Sequence, residues 1–179
     1  TEVISEHWLS EMIGWASVEG IGAVGCKLLY EDNRIQHAGV VIGIQGAAAH
    51  GHRFYRADHS GYMHRLECAQ FYSAVTAAAL AIKKSVFLDA GGFDDVKYRV
   101  AYNDVDLCLT CGQSGLSNVW LPDVHLYHYE SKSRLDDLGL QRISGYSREL
   151  SALRKDWNVI NYNDPCYNPN LSQIDEYFH

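Results

Sequence analysis

The sequence has few basic residues for its acidic content, and it has no stripe of lysine and arginine. Its 179 residues include 15 Lys and Arg against 22 Asp and Glu, which gives a formal net charge of -7 at pH 7. Nucleic acids are bound by basic surfaces that neutralise phosphates, so this balance argues against nucleic acid as the main partner.

Long apolar runs, an initiating methionine and an even set of cysteines are also missing. The longest nearly apolar run, residues 74–82, is about half of the roughly 20 residues that a membrane span needs. The first residues resemble neither a signal peptide nor a tag. We therefore expect a soluble piece cut from within a longer protein. The five irregularly spaced cysteines favour a reducing cytoplasm over a disulfide framework.

Hydrophobic periodicity and turn residues predict a mixture of helices and strands. Helices are predicted at residues 5–16, 84–90, 103–113 and 140–157, with Ser5 as the cap of the first. Strands are predicted at residues 21–30, 35–44, 72–83, 117–121 and 124–128. Residues 46–62 are predicted to form a long loop, and the tail from residue 158 is expected to be irregular. This mixture predicts an α/β or α+β domain.

An acidic helix start provides the first candidate for chemistry. Asp104 lies at the beginning of the predicted helix 103–113. A carboxylate is favoured there because free backbone N–H groups and the positive end of the helix dipole both attract negative charge. Position alone leaves two interpretations open, an ordinary helix cap and a catalytic carboxylate.

A second candidate follows the last predicted strand. His128 ends strand 124–128 and opens a polar, cationic segment that contains Lys132 and Arg134. Histidine with nearby carboxylates can bind a divalent metal, and the cationic segment could hold phosphate oxygens. A solvated loop with a hydrogen-bonded histidine is the alternative. His125 should face the opposite side of the strand, so the two histidines are not expected to share a metal.

Two further patterns suggest metal or redox chemistry but match it poorly. Four histidines lie in or near the predicted loop, at spacings that fit no zinc pattern: His50, His52, His59 and His64. Cys108 and Cys111 have the spacing of a redox pair, but they lie in the middle of a predicted helix, away from the helix start that lowers a thiol pKa. We predict core packing for these cysteines.

Together these residues resemble family 2 glycosyltransferases of the GT-A fold, in the branch that builds bacterial surface polysaccharides. A lone Gly-Gly-Phe-Asp at 91–94 would be a weak signal, but an ordered series of segments matches over nearly the whole chain. The matching segments are residues 7–9, 24–30, 35–41, 73–78, 91–94, 103–109, 128–134 and 164–171.

The resemblance implies an α/β fold, namely the C-terminal part of a GT-A domain with a mixed sheet and flanking helices. Residues 1–135 would form the acceptor-side half of that domain. Residues 136–179 would form a helical extension and irregular tail of the same domain. The fold would be incomplete without the N-terminal half that binds the nucleotide.

The resemblance also implies roles for individual residues. Asp104 matches the general base of inverting members, and His128 matches a histidine that helps to bind the divalent metal in some relatives. Their separation of 24 residues suits a helix, a turn and a returning strand that face one cleft. Five residues match the acceptor side: Gly91, Gly92, Phe93, Asp94 and Asn103. Three match a segment near the donor diphosphate: Ser131, Ser133 and Arg134.

One departure from the family concerns the metal, Mn or Mg, that the resemblance implies for the intact enzyme. In relatives an Asp-x-Asp motif binds it, and that motif falls immediately before the segment that matches Thr1. We expect the metal to be lost from this chain, because divalent sites need several converging ligands. The chain alone should therefore be inactive.

The predicted function is sugar transfer, with inversion, from a nucleotide-diphosphate sugar to a glycan or lipid-linked acceptor in polysaccharide biosynthesis. The location implied is the cytoplasm, with the inner face of the membrane open for the intact protein. Self-association through the face left exposed is a further expectation. Two alternatives remain open: a non-catalytic domain that binds carbohydrate or protein, and a zinc hydrolase built on the histidine-rich loop.

Overall fold

A curled mixed sheet forms the centre of the protein. The computed structural model describes residues 1–129 and 140–179. The strands are β1 Glu2–Val3, β2 Ile21–Leu29, β3 Ile35–His37, β4 Val40–Ile42, β5 Ala48–His50, β6 Gln70–Tyr72, β7 Leu80–Ala81 and β8 Ser117–Tyr127. The helices are α1 Trp8–Ser17, α2 Lys84–Asp89, α3 Asn103–Gln113 and α4 Leu140–Trp157. This arrangement confirms the predicted α/β class.

The two longest strands lie side by side and run in the same direction. Strand β2 pairs with β8 in parallel, with Leu29 opposite Tyr127 at their carboxyl ends. Short antiparallel strands flank this pair: β1 and β6 along β8, and β3 and β7 along β2. Because the carboxyl ends of β2 and β8 meet at one edge, the residues that follow them are brought together there.

Apolar side chains cover both faces of the sheet. Helix α1 packs on one face through Met12 and Ala16, against alternate residues of β2 and β8. Helices α3 and α4 and the C-terminal segment after α4 pack on the other face, where Trp120 is fully buried. Nine consecutive residues of β2 are buried, as expected for a strand covered on both faces.

Several predicted elements are confirmed, and others have different boundaries. Strand β2 and helices α3 and α4 agree with the predicted spans. Helix α1 begins at Trp8, and the predicted capping role of Ser5 is wrong. Ser5 Oγ instead accepts a hydrogen bond from the His125 N–H at 2.8 Å, which ties the start of the chain to β8. The two strands predicted around Pro122 are one strand with an irregular register.

Two predicted strands are only partly confirmed, because each is interrupted where the chain leaves the main sheet. The predicted strand 35–44 breaks at Gly39, where φ is +84°, so that β3 stays in the main sheet and β4 pairs with β5. That second pairing also places a strand inside the loop predicted at 46–62. The predicted strand 72–83 is interrupted between β6 and β7. There the backbone N–H groups of residues 76–78 bind side chains instead of a neighbouring strand.

All five cysteines are free thiols. Cys108 and Cys111 are buried on α3, and burial raises the pKa of both thiols. The two pack in the core as predicted. Within residues 1–129 and 140–179, no helix is both long enough and apolar enough to cross a membrane.

Gly39→Ala should destabilise the protein much more than Gly91→Ala. Both glycines have a φ of +84°, a conformation that costs a residue with a side chain about 1–2 kcal/mol. A Cβ on Gly91 would meet nothing within 4 Å, whereas one on Gly39 would overlap the buried ring of Tyr72. This overlap should add about 1–3 kcal/mol.

Urea unfolding of the two variants measures the difference directly. Equal losses of stability in the two variants would show that the close approach of Gly39 to Tyr72 does not constrain the fold.

Candidate active site

A short backbone segment, residues 76–78, crosses the edge where the predicted site residues lie; we call it the 76–78 bridge. Three successive N–H groups of the bridge donate to side chains. Thr76 donates to His37 Nε2 at 3.4 Å, Ala77 to Asp104 Oδ2 at 3.0 Å, and Ala78 to Thr76 Oγ1 at 3.3 Å. The bridge thus joins a strand of the sheet to the start of α3.

Asp104 lies in the first turn of α3, half-buried. Its Oδ2 accepts from the Ala77 N–H, and its Oδ1 accepts from the Val105 N–H at 2.9 Å. Each carboxylate oxygen can accept a second hydrogen bond. Asp104 is therefore held by two backbone N–H groups and can still accept further hydrogen bonds.

His128 comes directly after β8, at the carboxyl end of the parallel pair. Its N–H donates to the Leu29 carbonyl at 2.9 Å, which fixes the backbone beside β2. Its Nδ1 lies 3.1 Å from Thr1 Oγ1, and the same hydroxyl donates to the Ala78 carbonyl at 3.4 Å. Asp104 and His128 therefore both reach the 76–78 bridge, Asp104 at Ala77 and His128 through Thr1 at Ala78.

Two further histidines lie at this edge: His50, from the histidine-rich loop, and His37, which the sequence did not mark as a candidate. His37, on β3, is fully buried, and its Nδ1 lies 2.8 Å from His50 Nδ1. Burial, with smaller contributions from the positive charge that His50 and His128 can carry, holds the pKa of His37 well below its usual value. His37 lies in a segment that carries the family resemblance, but strand periodicity gives no sign that its ring reaches residue 76.

The loop predicted to line the acceptor side turns sharply after α2. Gly91 and Gly92 have φ of +84° and +73°, and the Gly92 N–H donates to the Phe87 carbonyl at 2.8 Å. Phe93 is 38% exposed and packs edge-on against Phe87. These residues form a tight, partly exposed turn.

Asp94 and Asn103 place that turn relative to α3. Burial raises the pKa of Asp106, and the charge of Asp94 raises it further, although Trp157 Nε1 donates to Asp106 at 2.7 Å. The negative charge of Asp94 thus acts on Asp106, which lies in the first turn of α3. Asn103 Oδ1 accepts from the Asp104 N–H at 2.9 Å. Asn103 is thus in direct contact with Asp104.

The histidine-rich loop does not assemble a site. Histidines 52, 59 and 64 each contact a different local partner: the N–H of Tyr62, the N–H of Gly61 and the carboxylate of Glu67. His52 also stacks on Phe178, with ring centroids 4.0 Å apart. In the described part of the chain, no three His, Cys, Asp or Glu side chains are grouped as a metal site. The described residues alone therefore form no complete metal centre, and the metal role of His128 stays a prediction.

The predicted contacts to the donor diphosphate fall in another segment. Ser131, Ser133 and Arg134 lie outside the described residues, which end at 129 and resume at 140. His125 is described: its Nε2 lies 2.6 Å from the Pro122 carbonyl. Its partner is thus different from that of His128, which contacts Thr1.

The chain is similar to two longer proteins over nearly its whole length. It is 47% identical over 171 residues to the uncharacterized protein y4gI of Sinorhizobium fredii, an alignment that covers 96% of this chain and 19% of that protein. It is 36% identical over 174 residues to the O-antigen biosynthesis protein RfbC of Myxococcus xanthus, with 96% and 13% covered. The chain therefore spans less than a fifth of either relative. No protein-family model matches it.

Proposed function

We propose that this chain is the acceptor-side part of a glycosyltransferase that acts in polysaccharide biosynthesis, and that it corresponds to the C-terminal half of a GT-A catalytic domain. The similarity to an O-antigen biosynthesis protein supports the biosynthetic role. The observation that carries the enzymatic proposal is the joining of Asp104 and His128 through the 76–78 bridge. Asp104 contacts the bridge directly, and His128 contacts it through Thr1.

In the proposed reaction Asp104 is the general base. The acceptor hydroxyl gives its proton to a carboxylate oxygen of Asp104, and the hydroxyl oxygen forms the new bond to the anomeric carbon. The bond from that carbon to the donor diphosphate breaks, and the nucleoside diphosphate leaves with the bonding electrons. Attack opposite the leaving group inverts the anomeric carbon. The two backbone N–H groups on Asp104 hold the carboxylate in one orientation, which favours in-line attack.

The remaining residues divide between the two substrates. The turn at residues 91–94, with Asn103 beside the base, faces the acceptor in this proposal. Ser131, Ser133 and Arg134 bind the donor diphosphate, since hydroxyl and guanidinium groups suit phosphate oxygens. His128 lies on the donor side. A divalent metal, Mn or Mg, would neutralise the leaving diphosphate, and His128 would be one of its ligands.

Nucleotide-sugar binding tests the proposal most directly. UDP-, GDP- and dTDP-sugars are titrated into the 179-residue chain and into an extended chain that includes upstream sequence. We expect weak or no binding by the shorter chain. For the extended chain we expect clear binding, with release of nucleoside diphosphate when a membrane extract supplies the acceptor.

Two other results would favour the alternatives. Glycan binding by the extended chain without any affinity for nucleotide sugars would identify a non-catalytic carbohydrate-binding domain. Stoichiometric zinc, measured by metal analysis of the purified protein, would support the hydrolase instead. Either result would overturn the transferase proposal.

A further inference from the structure

His37 and His50 have no role in the proposed reaction, although they lie at the same sheet edge. His37 is fully buried opposite Leu28 of β2, and its ring meets that of His50 edge-on, with centroids 4.9 Å apart. Burying an imidazole destabilises the folded protein unless the ring nitrogens are hydrogen-bonded. Both nitrogens of His37 have partners, and those partners connect it to the bridge.

The hydrogen bonds define which nitrogen of His37 carries the proton. The Thr76 N–H points at His37 Nε2, so Nε2 must offer a lone pair. A neutral imidazole then carries its proton on Nδ1, which faces His50 Nδ1 at 2.8 Å. His50 Nδ1 must accept, so the proton of a neutral His50 lies on its Nε2. The pair therefore has one consistent arrangement, in which His50 fixes the ring that holds Thr76.

Thr76 and Ala77 are adjacent, so their amides share the Cα of residue 76. A displacement of that Cα after loss of the His37 contact therefore also displaces the Ala77 N–H that donates to Asp104 Oδ2. The next residue, Ala78, contacts Thr1, which contacts His128. A change at His37 is thus transmitted to both predicted site residues through two peptide units.

We propose that His37, held by His50, is a positioning residue: it fixes the 76–78 bridge and, through the Ala77 N–H, sets the orientation of the Asp104 carboxylate. The effect on catalysis rests on the proposed glycosyltransferase function, but the structural role does not. His37 touches neither substrate in this proposal and acts through the backbone.

Histidine-selective 15N NMR of the 179-residue chain tests the structural role without any substrate. We expect the His37 ring to show the tautomer protonated at Nδ1. In His37→Leu, amide hydrogen exchange should accelerate at Thr76 and Ala77. The matched control is His52→Leu, which removes another buried imidazole that accepts from a backbone N–H, in this case that of Tyr62. It should accelerate exchange at Tyr62 and leave residues 76 and 77 unchanged.

Two results would overturn the positioning role: a His37 ring protonated at Nε2, or exchange at residues 76 and 77 that is equal in the two leucine variants. The wild-type tautomer measurement remains decisive if His37→Leu fails to fold. His37→Gln provides a second variant, since its carbonyl oxygen can still accept from the Thr76 N–H.

Kinetics of the extended enzyme test the catalytic consequence. His37→Leu should lower kcat by about 10-fold to 100-fold, because small displacements of a catalytic group have effects of this size. The KM for the nucleotide sugar should stay within about twofold, as expected when orientation rather than binding is lost. His37→Gln should recover part of the loss, and His52→Leu should keep the wild-type kcat per folded molecule.

An equal fall of kcat in His37→Leu and His52→Leu would reduce His37 to a structural residue. A wild-type enzyme that transfers no sugar while the NMR results hold would refute the proposed function and leave the positioning of the bridge intact.

Discussion

Asp104→Asn should lower kcat for sugar transfer by about 10²–10⁴-fold, the usual contribution of a general base. The amide has almost the shape of the carboxylate, and its oxygen can keep one of the two backbone hydrogen bonds that orient residue 104. What the amide loses is the ability to take a proton from the acceptor hydroxyl. The affinity for the nucleotide sugar should stay within about twofold, which isothermal titration of the extended enzyme measures beside turnover.

Asp106→Asn is the matched control for this substitution. Asp106 lies two residues further along α3, and its Oδ1 accepts a hydrogen bond from Trp157 Nε1 at 2.7 Å. An asparagine oxygen can accept the same bond, so this isosteric change should leave kcat near the wild-type value. Wild-type turnover by Asp104→Asn would remove the base assignment. Equal losses in the two variants would point to damage to α3 rather than to lost chemistry.

Sequence patterns predicted the elements whose apolar residues follow a regular spacing along the chain. Strand β2 and helices α3 and α4 were found because their apolar residues recur at strand or helix spacing. Periodicity failed at residues 35–44 and 72–83. Both are apolar enough for strands, but Gly39 turns the first away from the main sheet, and side-chain acceptors replace the neighbouring strand in the second.

The sequence named the candidate residues, but it could not predict the contacts that link them. Asp104 and His128 were identified from the family resemblance, and their separation along the chain predicted that they would face one cleft. Their link through Thr1 and Ala78 depends on where a broken strand crosses the sheet edge. Neither spacing nor composition contains that information. The contact between His37 and His50 likewise joins two strands of different sheets, since β3 pairs with β2 and β5 pairs with β4.

Two buried histidines, His37 and His52, should make the stability of the fold sensitive to acid. Between pH 7 and pH 5 the free energy of unfolding should fall by about 4 kcal/mol because of His37 and His52 together. Burial is the main reason that the pKa of His37 is well below its usual value, and burial, with the charges of Arg65 and His59, lowers that of His52 to about 3. Both are neutral in the folded protein over this range. In the unfolded chain they bind protons below about pH 6.5.

The unfolded chain binds more protons in acid than the folded protein does. Stability is therefore complete above pH 6.5 and is lost as the pH falls, by about 1.4 kcal/mol per unit for each histidine. Half-buried His125 acts in the same direction, since burial lowers its pKa too. Asp164 acts in the opposite direction, because burial raises its pKa and the folded state then takes up a proton in acid. The histidine contribution is therefore measured above pH 5, before the carboxylates dominate.

Urea unfolding of histidine variants at several pH values separates the contributions of His37 and His52 to the pH dependence of stability, provided that the m-value does not change. Glutamine at position 52 can still accept from the Tyr62 N–H but binds no proton on unfolding, so His52→Gln should remove about half of the dependence. His37→Gln should remove the other half, and the double variant should be nearly flat between pH 7 and pH 5. A wild-type protein equally stable at both values would mean that these imidazoles are hydrated in the folded state. In that case His37 could not hold the Thr76 N–H rigidly, and the orientation of Asp104 would need another explanation.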